Sequence, residues 1–320
     1  MKGAGEKRGF ALMVVILVIL LLSFLASELL IRIRFESRVA FNRQRHEQAR
    51  FLAEAGVNLA LFRVLDKAQD DTLGDPSAPF LYGREYEAVL PAGKIRYYAV
   101  SETGKIGLNS ANLVPLKLYL AWLGLDDERV SVIVDSLLDW RDADNLHHLN
   151  GAEKDYYQGL ADPYIPRNGP LMDPGEFLLV RGTEGLGEMI DPGEVFTVHN
   201  PSGKINVNSL SPALTRFIAE GDEDKEKLYR DTRKGTGLIN DALLAQVLGV
   251  DRFNLLRSNI TYFAGGNSYY SLVGYGEPAG DEGAKSPARS VGVRLLVKKG
   301  GRDGYANISW QETKVNEKRP

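Results

Sequence analysis

The strongest pattern of apolar and polar positions lies at the start of the chain. Residues 10–22 read FALMVVILVILLL, and tolerating Ser23 and Ser27 carries the apolar run to Ile31, with Glu28 near its end. About 20 residues of helix reach ~30 Å, enough to cross a bilayer core. No glycine or proline interrupts the stretch from Phe10 to Ala55, so nothing local breaks the helix there. Beyond the apolar run, Phe35, Val39, Phe41, Ala49, Leu52, Ala53 and Val57 recur among Arg, Gln and Glu, the spacing of an amphipathic helix. Continued to about Leu65, it forms one rod of ~80 Å, and only the last third can rest on a compact domain. The apolar positions of 35–57 are expected to pack on helices of partner subunits.

After a polar, Gly/Pro-containing linker at 70–79, the pattern changes to strands at 86–90 and 94–101. The segment Gly104-Lys105-Ile106-Gly107-Leu108-Asn109-Ser110 recurs 99 residues later as Gly203-Lys204-Ile205-Asn206-Val207-Asn208-Ser209, identical at five of seven positions. Each copy reads as a short strand ending in an Asn-Ser helix cap. Helical patterns follow at 115–125 and 212–220, with others at 129–140, 174–181 and 238–248. Strands return at 268–274, 290–298 and 305–313, the last two alternating well. The simplest architecture is α+β: the outer strands form one antiparallel sheet on the N-terminal helix, interrupted by a large, mostly helical insert.

Composition narrows the chemistry. The chain has 320 residues, 44% apolar and 25% charged, with no cysteine. That is an ordinary globular balance with room for about two domains. It excludes Cys-ligated zinc, iron–sulfur clusters and a thiol nucleophile. The net charge of −3 hides an asymmetry: residues 1–50 carry nine basic and four acidic side chains, a net of +5, which leaves −8 on the rest. Basic residues flank the apolar run on both sides, Lys2, Lys7 and Arg8 before it and Arg32, Arg34 and Arg38 after it, so charge alone does not orient it. A cleavable secretory signal would end in a small-residue site; this run passes instead into Glu28-Leu29-Leu30-Ile31-Arg32 and reads as a retained anchor.

Asp139, Asp142, Asp144, Glu153 and Asp155 fall within 17 residues, together with Asn145 and Asn150. Hard cations such as Ca²⁺ take six to eight oxygens from such turning loops. Counting Asp142 as position 1 of an EF-hand-like loop puts Asp144 at 3, Asn150 at 9 and Glu153 at 12. Leu146 and His147 at positions 5 and 6 show that it is not an EF-hand. Spacing leaves two readings open, a cation loop and a solvated acidic loop. His147-His148 invites zinc, but adjacent histidines on a loop rarely face one ion. The acidic run at 220–226 reads as a solvated loop, with a second calcium position as the alternative.

Several of these residues carry a resemblance. Lys7-Arg8-Gly9-Phe10 before an apolar helix resembles the class III signal cut by prepilin peptidases. That resemblance implies cleavage after Gly9 and N-methylation of Phe10. Val14 stands where most pilins and pseudopilins carry Glu, an acid that is costly in a bilayer unless paired. A subunit without it has no need to dock beneath an earlier one, so Val14 marks a tip position. With the two Asn-terminated strands and the run LDWRDAD at 138–144, GAE at 151–153 and Tyr156-Tyr157, the chain resembles the K-type minor pseudopilins of type II secretion over nearly its whole length. The family's common cysteine pair is absent.

The resemblance implies a leader at 1–9, a transmembrane segment at 10–31, and the helix continuation with the first strands at 32–109. It implies an inserted domain of two helix–hairpin–helix-like parts at 110–259, the second from about 203, and the remaining strands at 260–320. It implies calcium bound near Asp139, Asp142, Asp144, Glu153 and Asp155. It also implies a single-pass inner-membrane protein with a periplasmic head that caps the secretion pseudopilus, helps initiate its assembly and aids export of folded proteins across the outer membrane. The implied partners are the I- and J-type minor pseudopilins, the prepilin peptidase, other pseudopilins, the inner-membrane platform and lipid.

An enzyme is not expected. No Gly-rich phosphate loop, G-x-S-x-G or H-E-x-x-H occurs, and GTEGLG at 182–187 lacks the Lys-Ser/Thr ending. Two rival readings share parts of the pattern: a type IV minor pilin, and a membrane-anchored helix–hairpin–helix DNA-binding protein. INVNSLSP at 205–212 resembles the opening of the latter's hairpins, but the hairpin's Pro-Gly-Ile-Gly is missing. The head is also acidic, whereas phosphate binding needs a basic face. No nucleic-acid partner is expected.

Overall fold

The computed structural model describes residues 4–65, 80–236, 238–263, 269–279, 290–300 and 304–313. The expected linker at 70–79 and Ser268 lie outside them. Helix α1 runs unbroken over Ala4–Leu65, spanning the breaker-free stretch 10–55 and continuing through Gly56. Strands β1 (Tyr86–Leu90) and β2 (Gly93–Ser101) follow, then β3 (Ile106–Gly107), α2 (Val114–Trp122), α3 (Asp127–Arg141), α4 (Lys154–Gln158), α5 (Leu186–Met189) and α6 (Pro192–Val195). Next come β4 (Phe196–Thr197), β5 (Ile205–Asn206), α7 (Pro212–Ile218), α8 (Glu223–Thr236), α9 (Asp241–Leu248), α10 (Val250–Leu256) and β6 (Ile260–Thr261). The chain then returns through β7 (Tyr269–Pro278), β8 (Val291–Lys299) and β9 (Tyr305–Thr313). The expected helix at 174–181 is a short 3-10 segment, Pro174–Leu179.

The outer strands form one antiparallel sheet in the order β1-β2-β7-β8-β9. One face receives the end of α1. Leu52, Ala53, Val57, Ala60, Leu61 and Val64 pack on Ile95, Tyr97, Ala99, Leu272, Val293, Leu295 and Val297. The contact is closest at β7, where a Cβ on Gly274 would lie 2.1 Å from the Ala53 carbonyl oxygen, and one on Gly276 2.0 Å from that of Ala49. Helix backbone therefore sits directly on strand backbone. The amphipathic stripe is thus divided. Ala49, Leu52, Ala53 and Val57, expected to meet partner helices, are buried in the chain's own core, while Phe35, Val39, Phe41, Phe51 and Phe62 stay exposed.

The opposite face of the sheet meets residues 102–263 through polar and ionic contacts around a small apolar cluster, Tyr98, Val100, Val273 and Tyr275. Lys105 Nζ lies 2.7 Å from both Glu102 Oε1 and Ser271 Oγ, and donates to the Gly193 carbonyl at 2.8 Å. Tyr98 and Tyr275 hydroxyls donate to Glu194 at 2.8 and 3.2 Å, and Arg294 makes two bonds to Asp191 at 3.1 and 2.9 Å. Glu102 and Lys105 are both buried. Burial pushes the Glu102 carboxyl up, but the Lys105 ammonium and the hydrogen bonds from Lys105 and Ser271 outweigh it and hold it below its ordinary 4.5. Burial likewise raises Asp191, and Arg294 overcomes it, leaving Asp191 below its ordinary 3.8.

The insert has its own core, including Leu116, Ile133, Leu137, Tyr157, Phe196 and Phe217. The repeated segments meet reciprocally in it. A Cβ on Gly104 would strike the Ser209 carbonyl oxygen at 1.7 Å, and one on Gly203 the Ser110 hydroxyl at 2.1 Å. β3 pairs in parallel with β4, and β5 with β6. Their asparagines do matching work: Asn109 exchanges two hydrogen bonds with the backbone of Leu171 and Asn208 exchanges two with that of Ile239. The expected Asn-Ser caps are therefore corrected. α2 starts at Val114 behind Leu113, which offers no side-chain cap, and α7 is capped by Ser211, because the Asn side chains are committed to distant backbone. The acidic run is also not a loop: Asp222 accepts from the amides of Asp224 and Lys225 and starts α8, where Glu223, Asp224 and Glu226 suit the positive helix end.

Replacing Gly274 or Gly276 by Ala will force α1 off the sheet and cost about 3 kcal/mol, the upper range for overpacking. Gly159→Ala, whose Cβ would make ordinary 3.4 Å contacts, will change stability by less than about 0.5 kcal/mol in the same denaturation series. Lys105→Met will strand the Glu102 carboxylate and cost about 3–5 kcal/mol, most of which Glu102→Gln restores in the double variant. The stability from Glu102 and Asp191 is present above pH 4.5 and is lost as pH falls through their lower folded values. The double variant will accordingly show a shallower loss of stability on the acid side than the parent.

Candidate metal centre

Helix α3 ends in the acidic loop. Asp135 and Asp139 lie one turn apart on α3, and Asp142 is its C-cap, where extended backbone carries the chain away from the axis. Asp139 is wholly buried and accepts from the His148 amide at 3.1 Å and from His148 Nδ1. Asp135 Oδ2 holds Asn150 through its amide and its side chain, both at 3.0 Å. Gly151 is pressed against Asp139, leaving no room for a Cβ, and its carbonyl accepts from Arg181 at 3.0 Å. These contacts close residues 142–153 into a loop whose end returns to the start.

Glu153 occupies the N-cap position of α4 but does not cap it. Its side chain turns inward, 1% exposed, and both carboxylate oxygens are buried with no hydrogen-bond partner. Asp142 Oδ1 is buried and unpartnered in the same way. Asp144 Oδ1 accepts from the Leu146 amide at 2.8 Å. Ligand oxygens of Asp142, Asp144 and Glu153 come within 4.8 Å of one another. Burial, then the charges of Asp139 and Asp142, raise the Glu153 carboxyl above its ordinary value; burial, then Asp144 and Asp139, raise Asp142. Leaving two buried carboxylate oxygens unmatched is costly, and a cation at their centre would relieve both the desolvation and the repulsion.

Of the five expected ligands, Asp142, Asp144 and Glu153 converge, with Asp139 adjoining them. Asp155 does not join: its side chain is 75% exposed and lies 3.2 Å from His147 Nε2. Asn150 serves as a brace. Two residues outside the five also enter: His148, which the sequence raised only in connection with zinc, and Asn168, which it did not raise. His148 forms a second group with Asp139 and Asp142. Asn168, held at a positive φ of 48°, donates from Nδ2 to the Asp144 carbonyl at 2.9 Å and has its Oδ1 buried without a partner. Nothing in the acidic run signals Asn168, which arrives from a separate loop. The set is rich in carboxylate and amide oxygen, the donor chemistry that suits a hard divalent cation such as Ca²⁺.

The other sequence-marked residues, Gly9, Phe10 and Val14, fall within α1, with Phe10 and Val14 exposed. The helix is long and apolar enough to cross a membrane over part of Phe10–Leu65, with a mean hydropathy of 3.0 in its most apolar window.

Residues 104–186, from the first repeated segment through the acidic loop to the start of α5, match the family model described as type II secretion system (T2SS), protein K. The chain is 28% identical over 321 residues to type II secretion system protein K of Pseudomonas aeruginosa, covering 94% of this chain and 91% of that protein. It is 27% identical over 246 residues to the protein of the same name from Aeromonas hydrophila, covering 68% and 72% respectively. Its fold is similar, at a TM-score of 0.56 and 18% identity, to a chain of the crystal structure of the GspK–GspI–GspJ complex from enterotoxigenic Escherichia coli, covering 85% of this chain and 98% of that one. The chain is thus similar to type II secretion system protein K over most of its length.

Proposed function

We propose that this chain caps the tip of a type II secretion pseudopilus, helps to start its assembly and so aids the export of folded proteins across the outer membrane. The observation that carries this reading is the placement of residues 102–263 on the sheet face opposite α1. A pseudopilus shaft packs subunits through their N-terminal helices, and a head widened on the side away from its helix leaves little room for another subunit above it. The exposed Phe35, Val39 and Phe41 on α1 provide an apolar surface for neighbouring helices. The similar GspK–GspI–GspJ complex supports I- and J-type subunits as the partners. Residues 10–31 anchor the chain in the inner membrane with the head in the periplasm, and the prepilin peptidase cuts after Gly9 and methylates Phe10. Val14 lets the subunit take the first position in the fibre. Other pseudopilins, the inner-membrane platform and lipid complete its surroundings.

Calcium belongs to the same reading. Asp142, Asp144 and Glu153 hold the ion, with the Asn168 carbonyl oxygen beside them and Asp139 adjoining. The ion supplies charge neutralisation and ties the loop at 142–153 to the loop that carries Asn168, a structural role of the kind that couples metal binding to folding.

Full chain purified in detergent will bind Ca²⁺ by calorimetry and gain about 2.7 kcal/mol of stability at a hundredfold excess over Kd. Glu153→Gln will remove this gain and Asp155→Asn will leave it. A chain without a calcium shift, or one that depends equally on Asp155, contradicts the assignment. Co-expressed with the I- and J-type subunits of its own bacterium, the chain will purify as a ternary complex. Charged replacements at Phe35 and Phe41 will weaken it at least about tenfold, and a chain that forms no such complex at micromolar concentration contradicts the tip assignment.

A further inference from the structure

We propose that Arg34 and Arg38 of α1 form a docking site for the phosphate of an anionic phospholipid head group, at the level where the helix leaves the bilayer. The inference rests on residues 10–31 being a retained membrane span. Five arginines follow that span within 14 residues: Arg32, Arg34, Arg38, Arg43 and Arg45. Arg32 is held by Glu36 at 3.0 Å, and Arg45 donates to the Ala279 carbonyl at 2.8 Å. Arg34, Arg38 and Arg43 are exposed, and among the described residues none of the three has an acidic partner.

Height along the helix separates these three. At 1.5 Å per residue, Arg34 lies ~4.5 Å beyond Ile31, Arg38 ~10 Å and Arg43 ~18 Å. The head-group layer adds about 5–8 Å to each side of the hydrocarbon core. Arg34 falls inside that layer. Arg38 stands just above it, but helical side chains lean toward the helix N-terminus, which here is back toward the membrane, and the long arginine stem spans the gap. Arg43 is too high. The folded head is higher still: among the described residues burial begins at Ala49, ~27 Å from Ile31.

Arg34 and Arg38 are four residues apart and share one face of the helix. The acids of residues 24–46, Glu28 and Glu36, fall about 80° or more around the axis from both arginines. Two guanidinium groups on one face, each a planar fork of donors, match the oxygens of a phosphate. Phe35 and Val39, the apolar surface for neighbouring helices, are one residue on from each arginine and ~100° around the axis. Lipid and helix contacts therefore use different sides of α1. With the head in the periplasm, these arginines stand on the side where basic residues oppose the usual orientation signal. Head-group binding gives them a reason to be there.

Full chain is held in detergent micelles, with Lys2→Gln, Lys7→Gln and Arg8→Gln to silence the other flank. Phosphatidylglycerol or phosphatidylethanolamine is titrated in, and bound lipid is counted by native mass spectrometry. Phosphatidylglycerol will bind tighter by about tenfold or more, and the difference will shrink as salt rises. Arg34→Gln with Arg38→Gln will abolish the difference, Arg34→Lys with Arg38→Lys will keep part of it, and Arg43→Gln will leave it intact. Because both side chains are exposed and unpaired, the double Gln variant will melt with its parent. Equal binding of the two lipids, a preference that survives the double Gln variant or falls as far in Arg43→Gln, or displacement of the lipid by millimolar inorganic phosphate overturns the proposal. A surviving preference together with loss of the I- and J-type subunits assigns the arginines to a protein partner instead. The span is read separately. A chain that alkaline carbonate strips from phosphatidylethanolamine vesicles contradicts the anchor and the proposal with it, whereas a chain that stays but shows no lipid preference overturns the proposal alone.

Discussion

The close approach of α1 to β7 is the contact on which the rest of the structure depends. A helix whose first two thirds project as a free rod and whose end still carries a folded head needs a seat that grips it within a few turns. Ala49 and Ala53 on the helix and Gly274 and Gly276 on the strand provide it by removing side chains where the two backbones meet. Leu52, Val57, Leu61 and Val64 then fill the flanks against β2, β7 and β8. Interiors are packed densely enough that such a fit tolerates little added volume. The head is therefore rigidly coupled to the helix, while Phe35, Val39 and Phe41 of the stripe stay exposed.

The same sheet bonds differently on its two faces. Its helix side is apolar, while its other side meets the insert through Glu102, Lys105, Asp191, Glu194 and Arg294. Buried ion pairs add little net stability relative to apolar packing, but breaking one is costly. Such a joint specifies one relative placement of sheet and insert. Within the insert, the two related segments lock reciprocally through Gly104 on Ser209 and Gly203 on Ser110, and their asparagines tie in later segments. The acidic loop is thereby held on a supported frame, with α3 and α4 fixing both ends of the ligand set.

Much of this was legible in the sequence where physics is local. The unbroken apolar and amphipathic runs specify α1, and alternation locates β8 and β9. The repeat was visible, but its Asn-Ser pairs read as caps because that is the local preference of those residues; long-range backbone bonds from Asn109 and Asn208 overrode it. The acidic run at 220–226 looked solvated, although its charges suit the start of α8. In the acidic loop, spacing singled out Asp142, Asp144 and Glu153, whose carboxylates the fold draws together. Asp155 was drawn in by nearness along the chain, yet two residues on in a helix is ~200° around the axis, so α4 turns it away. Asn168 and His148 depend on how loops close, which no single segment encodes.

Amide hydrogen exchange on the full chain in detergent micelles tests the central claim, that α1 is seated on β7 as one unit. The account predicts that residues 49–64 exchange together with 270–276 and only on global opening, whereas 32–44, which stay exposed among the described residues, exchange much faster. Exchange of 49–64 that is fast or independent of β7 would contradict it.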